Sequence, residues 1–64
     1  MKFALEINCE NSAFDEEPGN EVARILREVA TMVEHLREGR ALYEPRGALD
    51  INGNSVCSYR FTND

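Results

Sequence analysis

The first ten residues alternate between apolar and polar side chains. The odd-numbered set is apolar and the even-numbered set mostly polar: Met1, Phe3, Leu5, Ile7 and Cys9 against Lys2, Ala4, Glu6, Asn8 and Glu10. A period of two sustained over ten residues is typical of a strand with one buried face. We therefore expect the chain to start with a β-strand whose odd-numbered side chains face the core.

The segment from Pro18 to about Glu38 has helical spacing instead. Its apolar residues recur at steps of three and four and form one stripe: Val22, Ile25, Leu26, Val29, Val33 and Leu36. Pro18 suits the first position of a helix, and Gly39 suits the position after its last turn. Residues 11–17 form a connection in which Phe14 is expected to cover the helix entrance.

The charges around this segment agree with a helix macrodipole. Acidic residues precede it or lie in its first turn, and basic residues follow its end: Asp15, Glu16, Glu17 and Glu21 against His35, Arg37 and Arg40.

Residues 47–62 contain the turn signal Asn52-Gly53 between two extended segments. A two-residue loop would place Leu49 on the face of Ser58 and Arg60. A three-residue loop, with Asp50 paired to Asn54, places Leu49 on the apolar face instead. Since a slip of one residue turns every side chain to the other face, the apolar pattern favours the longer loop with a positive φ at Gly53.

The element order strand, helix, strand, strand predicts one α+β domain over residues 1–64. We expect a single helix on one face of a three-stranded antiparallel sheet of order 1-3-2, which we prefer to a parallel pairing because it puts the aromatic third strand in the middle. The residues expected to face the helix are Phe3, Leu5, Ile7, Leu49, Cys57, Tyr59 and Phe61. The first and second strands then form exposed edges, which readily pair with another chain or a second copy.

The balance of acidic and basic residues disfavours two classes of function. Twelve acidic residues against seven basic ones give a net charge of −5, which disfavours binding to nucleic acid and to an anionic membrane surface. No apolar run reaches the roughly 18 residues of a membrane span. The start, Met1-Lys2-Phe3, lacks the features of a signal peptide, so we expect a cytoplasmic protein.

Two small groups of residues raise the question of metal or redox chemistry. Cys9 and Cys57 should both point inward and could be neighbours, as a disulfide or redox pair or as two small buried side chains; their spacing favours the second. Asp50, Asn52 and Asn54 are spaced like the first ligands of a calcium loop. That loop needs Gly and Glu where this chain has Ser55 and Phe61, so a hairpin turn is favoured.

His35 and the acidic residues are the remaining polar candidates. His35 lies off the apolar stripe with no partner for acid–base catalysis, so we interpret it as solvated. The acidic run could imitate nucleic-acid phosphates or bind a basic partner, or could simply be a solvated helix start; it comprises Glu10, Asp15, Glu16, Glu17 and Glu21.

No residues form a catalytic, cofactor-binding or metal-binding pattern, and we therefore expect no enzymatic activity and no cofactor. The leading hypothesis is a small protein-interaction module whose partner is an unknown protein or a second copy of the chain. The alternative is an acidic DNA mimic that inhibits a host nucleic-acid-binding protein. A DNA mimic requires carboxylates clustered on one surface, without arginines among them. The arginines in question are Arg24, Arg27, Arg37 and Arg40. Direct nucleic-acid binding through these arginines ranks last.

Three stretches resemble a known group of proteins. MKFALEINCENSAF, PGNEVARILREVA and LDINGNSV together look like small uncharacterised proteins encoded by temperate bacteriophages and prophages. The pattern of that group continues with Gly where this chain has Cys57. The resemblance implies a bacterial or phage cytoplasmic setting and implies no activity, ligand or functional residue.

Overall fold

Three strands and one α-helix account for most of the structure, a computed structural model that describes residues 1–37 and 40–63. Single 3-10 turns lie at Ser12–Phe14 and Arg40–Tyr43. The strands and the helix, in chain order, are β1 (Lys2–Ile7), α1 (Pro18–Val33), β2 (Arg46–Leu49) and β3 (Ser55–Thr62).

The sheet has the order β1-β3-β2, and both pairings are antiparallel. The eight-residue strand β3 is therefore central, with Phe61 opposite Phe3 and Tyr59 opposite Leu5. This arrangement confirms the α+β class and the strand order predicted from the sequence.

The core lies between α1 and one face of the sheet. Ile25 is completely buried, and with Val29 it packs among Cys57, Tyr59 and Phe14. Phe14, which lies in the connection before α1, is thus a member of the core. Partly buried apolar side chains surround this cluster: Leu5, Ile7, Ala13, Val22, Val33, Ala48 and Val56.

The β2–β3 turn has the predicted length. The Asp50 amide donates to the Asn54 carbonyl oxygen at 2.9 Å, and the Gly53 amide donates to the Asp50 carbonyl oxygen at 3.0 Å. Gly53 has a φ of 85°, a value that is strained for residues with a Cβ atom. The three-residue loop closed by Asp50 and Asn54 is confirmed.

A β-bulge beyond this turn overturns the predicted orientation of Leu49. Leu49 is opposite Ser55, but Ala48 is opposite Cys57, so Val56 is an extra residue on β3 at this point. Because successive side chains alternate between the two faces of a strand, the extra residue on β3 places each β2 side chain on the face opposite to the one predicted. Ala48 consequently packs on the core, and Leu49 is 53% exposed.

The helix ends at Val33, earlier than the predicted end near Glu38; Glu38 and Gly39 lie outside the described residues. Beyond Val33 the backbone forms 3-10-type hydrogen bonds, which reach three residues back. The His35 amide donates to the Met32 carbonyl oxygen, and the Leu36 amide donates to the Val33 carbonyl oxygen. Leu36 therefore belongs to a turn and not to the helical stripe.

Two apolar residues expected in the core are only partly covered. Phe3 is 43% exposed, although its ring lies 4.9 Å from that of Phe61 and 6.0 Å from that of Tyr59. Leu26 is similarly exposed, on the flank of the helix stripe. A single helix does not cover the full width of a three-stranded sheet.

The turn at Gly53 provides a test of this fold. Gly53→Ala should lower the free energy of unfolding by about 1–2 kcal/mol, because the added Cβ opposes a positive φ. Urea unfolding followed by circular dichroism measures the change. Gly19→Ala is the matched control, since a Cβ at Gly19 meets nothing within 4 Å and alanine favours a helix. Equal losses for the two variants would contradict the turn geometry.

Candidate functional site

The two cysteines are not neighbours in the core. Cys9 follows the end of β1 and is exposed, with its Sγ 3.8 Å from the Ile7 carbonyl oxygen. Cys57 is buried opposite Ile7, and burial raises the pKa of its thiol. Both are free thiols. The expectation that both point inward is wrong for Cys9, because the alternating strand ends two residues before it.

The Asp50 carboxylate accepts hydrogen bonds from the β2–β3 turn. Oδ1 accepts hydrogen bonds from the Asn52 and Asn54 amides at 2.9 and 2.8 Å, and Oδ2 lies 3.2 Å from the Asn54 side-chain nitrogen. Burial by itself raises the pKa of Asp50, but hydrogen bonds from Asn54, Asn11 and Asn52 outweigh it and leave the pKa below its usual value. Among residues 1–37 and 40–63, no three side chains of His, Cys, Asp or Glu lie close enough together to hold a metal ion.

His35 and Arg37 lie where the dipole argument placed them. Nδ1 of His35 is 2.9 Å from the Thr31 carbonyl oxygen, a contact that needs the proton on Nδ1. Arg37 donates to the Glu34 carbonyl oxygen at 3.1 Å. Both side chains satisfy carbonyl groups at the end of α1, which is a structural role.

The acidic run divides into two parts. Glu10, Asp15, Glu16 and Glu17 are exposed at the entrance to α1. Glu21, by contrast, is only 7% exposed. An open depression of about 450 Å³ lies between these parts, lined by residues that include Glu16, Glu17, Glu21 and Arg24. An arginine therefore lies among the carboxylates.

Glu21 and Arg24 form a two-point ion pair on the side of α1 that faces β2. Arg24 Nε donates to Glu21 Oε1 at 3.0 Å, and Arg24 Nη2 donates to Oε2 at 2.9 Å. Such forked pairing is stronger and more directional than a single contact. Nη1 of Arg24 also donates to Glu28 Oε2 at 2.7 Å, so the guanidinium connects two carboxylates of the same helix.

This ion pair also binds the backbone at the end of β2 and in the turn that follows it. Arg24 Nη2 donates to the Leu49 carbonyl oxygen at 3.0 Å, and the Ile51 amide donates to Glu21 Oε2 at 2.8 Å. The neighbouring Asp50 directs its own amide toward Asn54, on the β3 side. The Leu49 carbonyl, at the end of β2, and the Ile51 amide, in the turn, thus point away from β3, on the side where an additional strand would bind.

The hydrogen bonds explain the ionisation of the pair. The hydrogen bond from Arg24 is the main reason that the pKa of Glu21 lies below its usual value, and the Ile51 amide adds to this effect against the opposing effect of burial. Glu21 in turn raises the pKa of Arg24. Both groups therefore remain charged at neutral pH, and the helix stays connected to the β2 edge.

The outer edge of β1 is different. The Asn8 amide donates to the Val56 carbonyl oxygen at 2.8 Å, so Asn8 directs its backbone toward β3. Because this direction alternates along an antiparallel strand, Phe3, Leu5 and Ile7 direct their amides and carbonyls outward. Phe3 and Met1 are also exposed apolar residues here. The β1 edge thus combines outward backbone groups with apolar side chains.

Sequence reasoning missed the burial of Glu21 and the contact of Glu21 and Arg24 with the backbone of Leu49 and Ile51. The sequence pattern places Glu21 only in the acidic run at the start of the helix. A signal was nevertheless present, because Glu21 precedes the buried Ile25 by four residues and so lies on the same face of the helix. An acidic residue beside the apolar stripe, with arginine three positions later, indicates a partly buried ion pair.

Comparisons with protein-family models, with curated proteins and with solved structures find no match. In the described part of the chain, no helix has both the length and the apolar character needed to cross a membrane. The fold defines a small α+β domain in which helix side chains bind the backbone at the end of β2 and in the turn that follows it.

Removing the charge of Glu21 should destabilise the fold in a pH-dependent manner. A lowered folded-state pKa contributes stability above the unfolded pKa, and this contribution is lost as the pH falls through the folded pKa. Glu21→Gln should therefore lower the urea midpoint at pH 7 and differ less from the parent chain at pH 3.

Glu28→Gln is the control for this substitution, since Glu28 also pairs with Arg24 but its side chain is 57% exposed. Exposed ion pairs contribute little, so its midpoint should change little at either pH. If Glu28→Gln lowered the urea midpoint as much as Glu21→Gln does, the contact between Glu21 and the Ile51 amide would be unimportant for stability.

Proposed function

We propose that this chain is a small non-enzymatic protein-interaction module that binds its partner through the outer edge of β1. The observation that carries the proposal is the difference between the two sheet edges. Arg24 binds the Leu49 carbonyl at the end of β2 at 3.0 Å and Glu21 binds the Ile51 amide in the turn beyond it at 2.8 Å, whereas β1 presents the outward backbone groups of Phe3, Leu5 and Ile7. Exposed edges of this kind accept an added strand from another chain.

The side chains on β1 support a protein as the ligand. The face of β1 that is turned toward the helix is apolar and remains partly exposed at Phe3, so an added strand with alternating apolar residues would extend the core layer. Backbone hydrogen bonds would supply affinity, and the apolar positions would supply selectivity.

The proposed location of the protein in the cell depends on the sequence resemblance and not on the sheet edges. The resemblance of three stretches to phage and prophage proteins supports a bacterial cytoplasmic location, where thiols such as Cys9 and Cys57 stay reduced.

An acidic DNA mimic is the second candidate, supported by the exposed Asp15, Glu16 and Glu17 at the start of α1. Two facts weigh against it. Glu21 and Asp50 direct their carboxylates to donors of the chain itself, and Arg24 lies among the remaining acidic groups. Fewer carboxylates are therefore available to imitate a row of phosphates.

Site-specific photo-crosslinking in bacterial cells separates the two candidates. A benzophenone amino acid would replace Phe3 at the β1 edge, Glu16 at the acidic entrance, or Thr31 on the exposed side of α1. We expect a discrete protein adduct from position 3 and none from position 31. Adducts from position 16 alone would favour the acidic candidate, and an absence of adducts from position 3 in a folded chain would contradict binding at β1.

A further inference from the structure

The β1 edge is complementary to itself. We propose that two copies of this chain pair their β1 strands antiparallel about a two-fold axis at Ala4, forming one six-stranded sheet with both helices on the same face. This inference rests on the proposed function and names its partner, a second copy. The argument uses the direction of the backbone groups, the apolar pattern and the charges of β1.

Backbone geometry limits the possible registers. Phe3, Leu5 and Ile7 direct their amides and carbonyls outward, so only odd-numbered residues can exchange hydrogen bonds with a second β1. Three registers satisfy this condition near the middle of the strand. They place Phe3 opposite Phe3, opposite Leu5, or opposite Ile7 of the second copy.

Charge distinguishes these three registers. When Phe3 is opposite Leu5, Lys2 lies directly opposite Glu6 of the second copy, and symmetry repeats the pair. In the other two registers Lys2 is opposite Ala4 or Asn8. Opposite charges on facing residues stabilise a sheet, and these pairs belong to the closely spaced, non-hydrogen-bonded type. The register with Ala4 on the axis is therefore favoured.

Apolar side chains agree with the same register. Phe3 meets Leu5 of the second copy on the helix-facing side, and Met1 meets Ile7. Phe3 is 43% and Met1 70% exposed in the single chain, so pairing covers part of this surface. The opposite edge is not equivalent, because Glu21 and Arg24 already bind the Ile51 amide and the Leu49 carbonyl.

The dimer should be weak. Pairing of two six-residue strands gives a contact below the roughly 1,200 Å² of standard stable interfaces. Sedimentation velocity on the purified chain should accordingly show a monomer–dimer equilibrium that moves toward dimer as concentration rises. A monomer throughout the accessible range would overturn the proposal.

Disulfide trapping tests the register. In a Cys9→Ser background, which removes the exposed thiol, Ala4→Cys places two thiols on the axis, with Cα atoms about 4.5 Å apart and within disulfide range. Glu6→Cys is the control on the same exposed face. Its two copies would be four residues apart along the paired strands, about 13 Å. Mild oxidation should yield dimers from the first variant and not from the second. Equal yields would overturn the register.

Charge reversal separates the specific pair from general repulsion. Glu6→Lys changes the net charge from −5 to −3, so general repulsion between copies decreases and non-specific pairing would strengthen. The proposed register instead places Lys2 opposite a lysine twice and should raise the dimer dissociation constant about tenfold. Combining Lys2→Glu with Glu6→Lys should restore the parent value. Stronger pairing in Glu6→Lys would contradict the register.

The experiments distinguish failure of self-pairing from failure of binding at the β1 edge. A purified chain that stays monomeric, together with a position-3 adduct to a different protein in cells, would overturn self-pairing and leave binding at β1 intact. A monomer with no adduct at position 3 would overturn both.

Discussion

The contact between α1 and the backbone of Leu49 and Ile51 is the main difference between the two edges of this sheet. Glu21 accepts the Ile51 amide and Arg24 donates to the Leu49 carbonyl, so two helix side chains supply one acceptor and one donor in place of a neighbouring strand. Both residues stay charged because each is held by the other. Exposed sheet edges readily pair with other chains, and these contacts occupy backbone groups at the end of β2 and in the turn beyond it.

The architecture follows from simple periodicities in the sequence. The alternation at Phe3, Leu5 and Ile7 predicts β1, and the helical spacing of Ile25 and Val29 predicts α1; both elements are confirmed. The turn residues Asn52-Gly53 also predicted the turn and its positive φ at Gly53, but the argument from the orientation of Leu49 was wrong, because the bulge at Val56 places Leu49 on the exposed face. These features could be predicted because each depends on residues that are close in the sequence.

Details that depend on distant residues could not be predicted in this way. The bulge at Val56 reverses the faces of Ala48 and Leu49, and the apolar pattern alone suits either orientation of so short a strand. Cys9 continues the alternation of β1 although the strand ends at Ile7. The role of Glu21 depends on the Ile51 amide, thirty residues away in the chain. Such contacts require the packed structure.

Amide hydrogen exchange, measured residue by residue in dilute solution, tests the difference between the edges most directly. The Ile51 amide should exchange slowly because it donates to Glu21, and the Ala4 and Glu6 amides should be slow because they face β3. The Phe3 and Leu5 amides should exchange rapidly. Rapid exchange at Ile51 together with slow exchange at Phe3 and Leu5 would contradict this account of the molecule.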